Sequence, residues 1–291
     1  HHNLDIRNSV AIEKIFNKYK KKISIIIHCA AQPSHDYGKN FPRLDFDVNA
    51  YGTLNILELT KKYCSDAVFI FMSTNKVYGD NPNFLPLFEK KTRWEIKTTH
   101  KFRSGIDETL SIDNCTHSFF GTSKSYADLI VQEYGRNIGL KTACFRAGCI
   151  TGPNHSGAKL HGFLSFLVKT SITQRSYSII GYKGKQVRDN IHSEDVAQFI
   201  GLFINSPRIG EVYNLGGGKA NSCSILEAFK ICESFSGNKQ KYVYLDENRI
   251  GDHICYYSDL SKIKNHFPKF EIEHSLKDTI QQIVETEDRR K

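Results

Sequence analysis

The sequence has no run of apolar residues near the ~20 that a membrane-spanning helix needs, and its first residues lack the pattern of a secretory signal peptide. None of its eight cysteines forms a CxxC pair or stands at the His/Cys spacing of a zinc site. Several cysteines lie inside apolar runs, where a reduced thiol packs as a small hydrophobic group. We therefore expect a soluble cytoplasmic protein with reduced cysteines, no bound metal and no membrane contact.

Acidic residues are fewer than basic ones: 31 Asp and Glu stand against 40 Lys and Arg, and the formal net charge is +9. Such an excess suits nucleic acids, membrane surfaces or small anionic substrates. The lysines are scattered except at Lys18 to Lys22, a run that follows helical spacing and so suits the negative end of a helix dipole. This distribution favours a solvated helix end over a nucleic-acid patch, and no nucleic-acid partner is expected.

A glycine-rich turn is missing from the beginning of the sequence. A dinucleotide-binding sheet normally opens with a strand, a GxGxxG turn and a helix whose N-terminus holds the pyrophosphate. The one glycine-rich run, at residues 215–220, comes late and in a different context. Two explanations stay open: about 50 to 60 residues of a first βαβ unit are absent from the given sequence, or cofactor binding has been lost.

What is present is an alternation of strands and helices. Continuous apolar runs predict strands buried on both faces at residues 23–30, 67–73 and 141–147, and helical spacing predicts helices at 10–19, 48–62 and 117–137. This order predicts a Rossmann-like, doubly wound α/β fold with a parallel sheet, apparently without its first βαβ unit. Helical segments at 163–172, 196–203 and 225–234, separated by glycine-rich turns, predict a smaller mixed α/β substrate domain. The expected division is 1–149 with 184–211 for the dinucleotide-binding domain, and 150–183 with 212–291 for the substrate domain.

Small and hydroxyl-bearing residues follow two of the predicted strands. Ala30 and Ala31 in "HCAAQ" would let the backbone approach a phosphate or ribose, although two alanines after a strand more often serve packing alone. The hydroxyls of Ser73 and Thr74 in "FMSTNK" emerge at the same sheet edge, where they would hydrogen-bond a substrate alcohol or cap the following turn.

Two further patterns suggest a binding site. Phe120 and Lys124 in "FFGTSKSYAD" lie one helical turn apart and share a face. Arg188 and Arg249 carry planar forks that suit phosphate oxygens, and two arginines at one cleft would bind a nucleoside diphosphate, whereas each alone would make a surface ion pair.

Together these motifs resemble the nucleotide-sugar epimerase/dehydratase branch of the extended short-chain dehydrogenase/reductase family, from Asp5 almost to the C-terminus. The residues that carry the resemblance are "AAQPSHD", "DFDVNAYGTLNILE", "STNKVYGD", "GPNHSG", "LHGFL", "GYKGKQVRDNIHSEDV", "VYNLGGG" and "RIGDH". Within the branch, the sequence resembles the CDP-hexose 2-epimerases in particular. The resemblance implies a redox-neutral reaction in which the sugar is oxidised to a keto intermediate and reduced again from the opposite face, inverting C2. It also suggests a place in surface-polysaccharide assembly such as O-antigen biosynthesis.

The resemblance implies NAD as the cofactor and a nucleotide-diphosphate sugar, a CDP-hexose in particular, as the substrate. The residues expected along NAD are Asp5, Ile6, Ala30, Ala31, Gln32, Ser73 and Lys124, with Asn49 bracing the sheet beneath. Thr74 would touch the sugar hydroxyl that is oxidised, and the substrate would be faced by Asn75, His155, His161, Arg188 and Arg249. Dimerisation through the helix that holds Lys124 is common among such relatives, and a homodimer is one expectation.

The sequence departs from the family at Phe120, where the family has the tyrosine that serves as general base. Loss of a positioned base typically costs on the order of 10² to 10⁴ in rate. Tyr126 lies on another side of the helix, so the proton relay is left to Thr74, a water, Cys149 or a substrate-facing histidine such as His161.

Two alternatives stay open beside the 2-epimerase. One is another epimerisation or a dehydration, for which Asn75 and Lys76 lack the acid and base of the dehydratases, and the other is a degenerate relative that binds without turnover.

Overall fold

A computed structural model describes residues 1–157, 162–247 and 251–290. The strands are β1 (Ile25–His28), β2 (Val68–Thr74), β3 (Leu87–Glu89), β4 (Trp94–Ile96), β5 (Lys141–Ala147), β6 (Cys149–Thr151), β7 (Tyr177–Ile180), β8 (Val187–His192), β9 (Glu211–Leu215), β10 (Ser222–Ser224) and β11 (Tyr242–Leu245). The α-helices are α1 (Ser9–Tyr19), α2 (His35–Asn40), α3 (Pro42–Phe46), α4 (Gly52–Tyr63), α5 (Ser118–Arg136), α6 (Phe163–Ile172), α7 (Ser193–Asn205), α8 (Ile225–Ser236), α9 (Ser261–His266) and α10 (Leu276–Arg289). A π-helical turn (Asp47–Tyr51) leads into α4, and short 3₁₀ turns occur at Lys20–Lys22, Asn75–Tyr78, Asn81–Phe84 and Tyr182–Gly184.

Unit 1 comprises residues 1–79, 115–147 and 200–213. Its four-stranded sheet has the order β1-β2-β5-β9, with β2 parallel to both of its neighbours and in register from Val68 opposite Lys141 to Thr74 opposite Ala147. Helix α4 lies between β1 and β2 and helix α5 between β2 and β5, and both share with α1 and the sheet a core that includes Phe16, Leu57, Phe69 and Val131. The predicted Rossmann-like α/β fold is confirmed, because each parallel pair is joined by a helical crossover.

The burial of β1 differs from the prediction for residues 23–30. Ile25 and Ile27 are 42% and 44% exposed, whereas Ile26 packs into the core of unit 1 and His28 is buried. Successive side chains of a strand point to opposite faces, so the described helices cover only the face to which Ile26 and His28 point. The apolar run therefore identified a strand correctly but overstated its burial.

Unit 2 comprises residues 80–114, 148–199 and 214–291. It contains a sheet of order β10-β8-β6, a parallel pair β11-β7 and an antiparallel hairpin β3-β4. Helices α6, α8 and α10 pack around a core of residues such as Leu167, Phe229 and Ile280. A capping box between Ser275 and Asp278 starts α10, because each side chain accepts a backbone N–H that the first helical turn leaves unbonded.

The division into two units differs from the expected one. Residues 184–199 belong to unit 2, because β8 pairs with β6 and β10. Residues 80–114 also belong there, and Trp94 in β4 donates its N–H to the Lys185 carbonyl at 3.0 Å.

All eight cysteines are free thiols. Across the three described stretches of the chain, no helix combines the length and the apolar character needed to cross a bilayer.

Candidate active site

The loop after β1 is held by a side chain from the neighbouring π-helical turn. Asn49 Oδ1 accepts the Gln32 N–H at 2.8 Å, and Asn49 Nδ2 donates to the Gln32 carbonyl at 3.1 Å and to Ser123 Oγ at 3.0 Å. The Gln32 amide donates in turn to buried Asp45 at 2.5 Å. These bonds direct the polar groups of Gln32 inward and fix the backbone at Ala30 and Ala31, whose small side chains leave room for a ligand.

Lys124 brings a buried cation to the carboxyl end of β2. Its side chain is almost fully enclosed, and Nζ donates to the Met72 carbonyl at 2.8 Å and lies 4.0 Å from the centre of the Phe71 ring. Burial lowers the pKa of Lys124 from 10.5 to about 8, although the negative charge of Asp128 opposes the shift. At neutral pH the ammonium is therefore still charged, although burying this charge costs free energy.

Thr74 ends β2, two residues beyond the carbonyl that Lys124 contacts. Its Oγ1 accepts the Lys76 N–H at 3.2 Å and so caps the turn Asn75–Tyr78, while Asn75 is buried. A hydroxyl has one proton and two lone pairs, and the cap uses one lone pair. The hydroxyl proton can therefore still be donated to another acceptor.

Ser73 lies within a buried network beneath this edge. Its Oγ donates to Asp128 Oδ2 at 2.5 Å, and Arg146 clamps the same carboxylate through Nε at 3.1 Å and Nη2 at 2.7 Å. Arg146 Nη1 also donates to the Tyr78 hydroxyl at 3.1 Å. The structure thus gives the Ser73 hydroxyl a bracing contact, unlike the cofactor contact expected from the sequence. We did not predict Asp128 and Arg146, although charged residues inside apolar segments were a usable signal.

Asp5 is kept ionised near the start of the chain. Arg7 donates to it through Nη2 at 2.6 Å and Nε at 3.0 Å, and these hydrogen bonds lower the pKa of Asp5 to about 2. The Ile6 carbonyl accepts from Asn55 at 3.1 Å, which ties the segment to α4. An ionised carboxylate of this kind can accept hydrogen bonds from ribose hydroxyls.

Two of the predicted substrate-facing residues, His155 and Arg188, belong to unit 2, whereas Asn75 belongs to unit 1. Arg188 donates to Asp252 at 2.6 Å and to the His253 carbonyl at 2.6 Å, so its guanidinium is already paired within the unit. His155 packs its ring against Gly162, where φ is +76° and an added Cβ would overlap the imidazole. Cys149 is half-buried at the start of β6. The predictions for His161 and Arg249 fall outside the described residues.

The glycine run after β9 has a packing role. A Cβ on Gly216 would overlap the buried Asp189 carboxylate, and a Cβ on Gly217 would overlap Asn190; the same carboxylate accepts the Ser258 N–H at 2.8 Å. Burial nevertheless raises the pKa of Asp189 to about 7. The glycines after β9 therefore allow close packing against residues of β8 within unit 2.

One group of potential metal ligands occurs in the described chain: His192, Glu194 and His274. Nδ1 of His192 accepts the Glu194 N–H at 3.1 Å, so Nε2 carries the proton and donates to Gln282 Oε1 at 3.1 Å. No lone pair on His192 is then left for a cation. The Nδ1 of His274 lies 3.1 Å from Asp195, and the two imidazoles stack with centroids 4.0 Å apart. Hydrogen bonds within unit 2 thus account for this group.

Comparison with known proteins places these features in a family context. The sequence profile of the family described as NAD dependent epimerase/dehydratase matches residues 1–216. CDP-paratose 2-epimerase of Salmonella typhi is 32% identical over 90% of this chain and 76% of its own length. A putative UDP-glucose 4-epimerase of Methanocaldococcus jannaschii is 30% identical over 97% of this chain and 82% of its own length. A dTDP-glucose 4,6-dehydratase of Salmonella typhimurium is 27% identical over 79% of this chain and 60% of its own length.

Solved structures share the fold. UDP-glucose 4-epimerase of Thermotoga maritima, solved with UDP-glucose, has a TM-score of 0.81 at 24% identity, covering 99% of this chain and 84% of that chain. UDP-glucose 4-epimerase of Thermus thermophilus, solved with NAD, has a TM-score of 0.79 at 21% identity, covering 98% and 83%. At these identities the structural likeness establishes the fold.

Proposed function

The chain belongs to the NAD-dependent epimerase/dehydratase family, and from this premise we propose that it inverts C2 of a nucleotide-diphosphate sugar, with a CDP-hexose as substrate. The coarser part of the proposal, an NAD-dependent enzyme acting on a nucleotide sugar, follows from the family. The choice of C2 and of cytidine is supported by the 32% identity with a CDP-paratose 2-epimerase.

The observation that carries the proposal is the buried ammonium of Lys124. Enclosing a charged lysine costs free energy, and the lowered pKa of Lys124 records that cost. A purely structural position would be filled more stably by an apolar side chain. The ammonium stands at the carboxyl end of a central parallel strand, where open α/β sheets bind their ligands.

The residues of unit 1 fit an NAD molecule. Ala30 and Ala31 would lie along its phosphates and ribose, Lys124 would donate to the hydroxyls of the nicotinamide ribose, and ionised Asp5 would accept at the adenine end. NAD, when bound, supplies the acceptor and donor of the hydride. In unit 2, Arg188 would share its guanidinium between Asp252 and the substrate diphosphate, since five N–H donors exceed what one carboxylate can use.

Dehydration is the second reaction of the same family, and a dTDP-glucose 4,6-dehydratase is among the relatives. It needs an acid and a base after the strand-end threonine, and here those positions hold Asn75 and Lys76. The Asn75 side chain cannot donate or accept a proton near neutral pH, so this reaction is disfavoured.

The proposal is tested with protein expressed from its full reading frame. We expect NAD to be released on denaturation and to be detected by chromatography without having been added. A CDP-hexose deuterated at C2 should give the C2 epimer with a primary isotope effect and with the deuterium retained, because the hydride leaves and returns to the same carbon. The matched substrate deuterated at C4 should show no isotope effect.

Two outcomes contradict the proposal in different ways. Loss of the C2 deuterium to water would indicate deprotonation instead of hydride transfer. Absence of released NAD, together with no epimer from CDP-, UDP- or GDP-hexoses, would support a relative that binds a nucleotide sugar without turnover.

We also propose that two copies associate through an apolar face on α3 and α5. Phe46 and Tyr126 are substantially exposed with ring centroids 5.9 Å apart, and Phe119 and Leu129 are exposed on the same helix as Tyr126. Exposed aromatic residues concentrated on neighbouring helices are typical of protein interfaces. Sedimentation should give a dimer, and Phe46→Glu should give a monomer. Ile138→Glu, a control at an exposed apolar residue beyond the end of α5, should leave the dimer intact, and a monomeric wild-type protein would refute this proposal.

A further inference from the structure

A buried carboxylate closes a ring of hydrogen bonds next to the turn of α5 that carries Lys124. Asp45, in α3, is 0% exposed; its Oδ1 accepts the Gln32 side-chain amide and its Oδ2 accepts the Ser123 hydroxyl, both at 2.5 Å. Asn49 completes the ring, because its amide bonds the Gln32 backbone and donates to Ser123 Oγ at 3.0 Å. Ser123 directly precedes Lys124 on α5. Within unit 1, the ring therefore joins the loop after β1 to the helical turn of the lysine.

Asp45 has no cation of its own in this ring. Its two donors are a neutral amide and a neutral hydroxyl, and the ion pairs described in unit 1 involve other carboxylates. Burying an ionised carboxylate without a counter-charge costs several kcal/mol in general, even when hydrogen bonds satisfy its oxygens. This cost suggests that the charge itself has a function.

The groups around Lys124 show which cation this charge serves. The titratable groups that interact electrostatically with Lys124 are Asp128 in α5, Cys144 in β5, Cys29 after β1, His28 in β1 and Asp45 in α3. Asp128 has the largest effect, but its charge is matched by Arg146, whose Nη2 lies 2.7 Å from Oδ1. Burial raises the pKa of both thiols from 9.0, and burial lowers the pKa of His28 to about 3, so these groups are neutral near pH 8. Among these described groups, Asp45 is the negative charge that no other cation matches.

We propose that Asp45 is a positioning residue for NAD, because its charge keeps Lys124 protonated where the ammonium binds the nicotinamide ribose. This proposal rests on the proposed function, in which Lys124 donates to the hydroxyls of that ribose. A nearby negative charge favours the protonated form of a lysine and so opposes the effect of burial. The hydrogen bond to Ser123 holds the carboxylate at a fixed place beside α5.

An asparagine in place of Asp45 can keep the bonds of the ring while it removes the charge. Its oxygen would accept from Gln32, and its NH₂ group would donate to Ser123 Oγ. Ser123 would then donate its proton to the Phe120 carbonyl, which already lies 3.0 Å away. A hydroxyl oxygen has two lone pairs, so it can accept from Asn49 and from the new amide together. Asp45→Asn therefore changes the charge with little change in packing.

The first test is a lysine NMR titration of protein from the full reading frame, freed of NAD. The signal that is lost in Lys124→Met identifies Lys124, whose pKa should be about 8 in the wild type. In Asp45→Asn the pKa of Lys124 should fall by about half a unit to one unit. Asp66→Asn, the same change at an exposed aspartate ahead of β2, is the matched control and should leave this pKa unchanged.

The same shift should appear in NAD binding, measured by calorimetric titration at two pH values. At pH 8 Asp45→Asn should bind NAD about two- to five-fold more weakly than the wild type, because a smaller fraction of Lys124 is charged. At pH 6 the lysine is charged in both proteins, and their affinities should agree. Ser123→Ala breaks the ring but keeps the carboxylate, so it should change the affinity by the same factor at both pH values.

The outcomes separate this proposal from the proposed function. A loss of NAD affinity in Asp45→Asn that is equal at pH 6 and pH 8, with the pKa of Lys124 unchanged, would show that Asp45 acts through its hydrogen bonds alone and would overturn this proposal. If Asp45→Asn does not fold, Asp45→Ser is the second neutral variant, and the same fall in the pKa of Lys124 is expected. If NAD bound and this pKa stayed fixed in the neutral variant, this proposal alone would fall. If the wild-type protein bound no NAD, both would fall.

Discussion

A Lys124→Met variant is expected to be more stable than the wild-type protein and to bind NAD more weakly. Burial lowers the pKa of Lys124 from 10.5 to about 8, and each pKa unit corresponds to about 1.4 kcal/mol. Keeping the ammonium charged at pH 7 thus costs about 3 kcal/mol relative to the neutral amine. Methionine has a similar length and no charge, so after loss of the bond to the Met72 carbonyl we expect a net gain of about 2 kcal/mol in the free energy of unfolding.

The difference in unfolding free energy between the wild type and the variant should depend on pH. Between pH 8 and 10.5 the unfolded state of the wild-type protein holds the Lys124 proton that the folded state has released, so this residue makes stability rise with pH. Buried groups such as Tyr257, whose pKa burial raises, act in the opposite direction in both proteins. The difference between wild type and variant isolates Lys124. Urea unfolding should show the gain of the variant at pH 7 and its disappearance by about pH 10.5.

The functional loss is measured on the same two proteins. A hydrogen bond from a charged donor contributes about 1.5 to 3 kcal/mol, so NAD affinity should fall by about 10- to 150-fold in calorimetric titration. Lys62→Met, at an exposed lysine of α4, is the control and should change neither stability nor affinity appreciably. A Lys124→Met protein that is destabilised, or that binds NAD as tightly as wild type, would show that the ammonium has a structural role.

The sheet of unit 1 could be predicted from sequence because apolar continuity reports burial between helices. The observed β2 and β5 agree with residues 67–73 and 141–147 to within one residue. The same signal failed to show that one face of β1 is exposed to solvent. Strand propensity and hydrophobicity are properties of the local sequence, whereas the burial of a strand face depends on whether a distant helix packs against it. The assignment of residues 184–199 needed the pairing of β8, which depends on contacts between distant segments.

The candidate site was predicted only in part, for a geometric reason. Ser73 and Thr74 both end β2, but consecutive strand side chains point to opposite faces. Ser73 therefore meets Asp128 of α5, and it is Thr74 whose hydroxyl proton remains available. The hydrogen bond between Ser123 and Asp45 joins residues 78 positions apart, so no local pattern could reveal it.

The largest loss of stability is expected from Asp128→Asn. Asp128 and Arg146 are both enclosed, with Nη2 and Oδ1 2.7 Å apart, and the carboxylate also raises the pKa of the guanidinium. The amide would leave the Arg146 charge buried without a counter-charge, which typically costs about 3 to 5 kcal/mol. Chemical denaturation at pH 7 measures this loss.

The matched control is Glu13→Gln, which removes the carboxylate from an exposed pair with Lys62 of similar length, 2.6 Å, and should cost under about 1 kcal/mol. The contrast tests the effect of burial, since the two ion pairs differ little in distance but greatly in access to water.

Asp128→Leu combined with Arg146→Met should recover much of the lost stability, because removing both charges leaves neither one unpaired. If Asp128→Asn cost no more stability than Glu13→Gln, water would have to reach Arg146. The buried ion pair that underlies Ser73 and Lys124 would then be less rigid than these contacts indicate. A stable double variant with impaired turnover would instead show that this buried pair holds the strand end in position for catalysis.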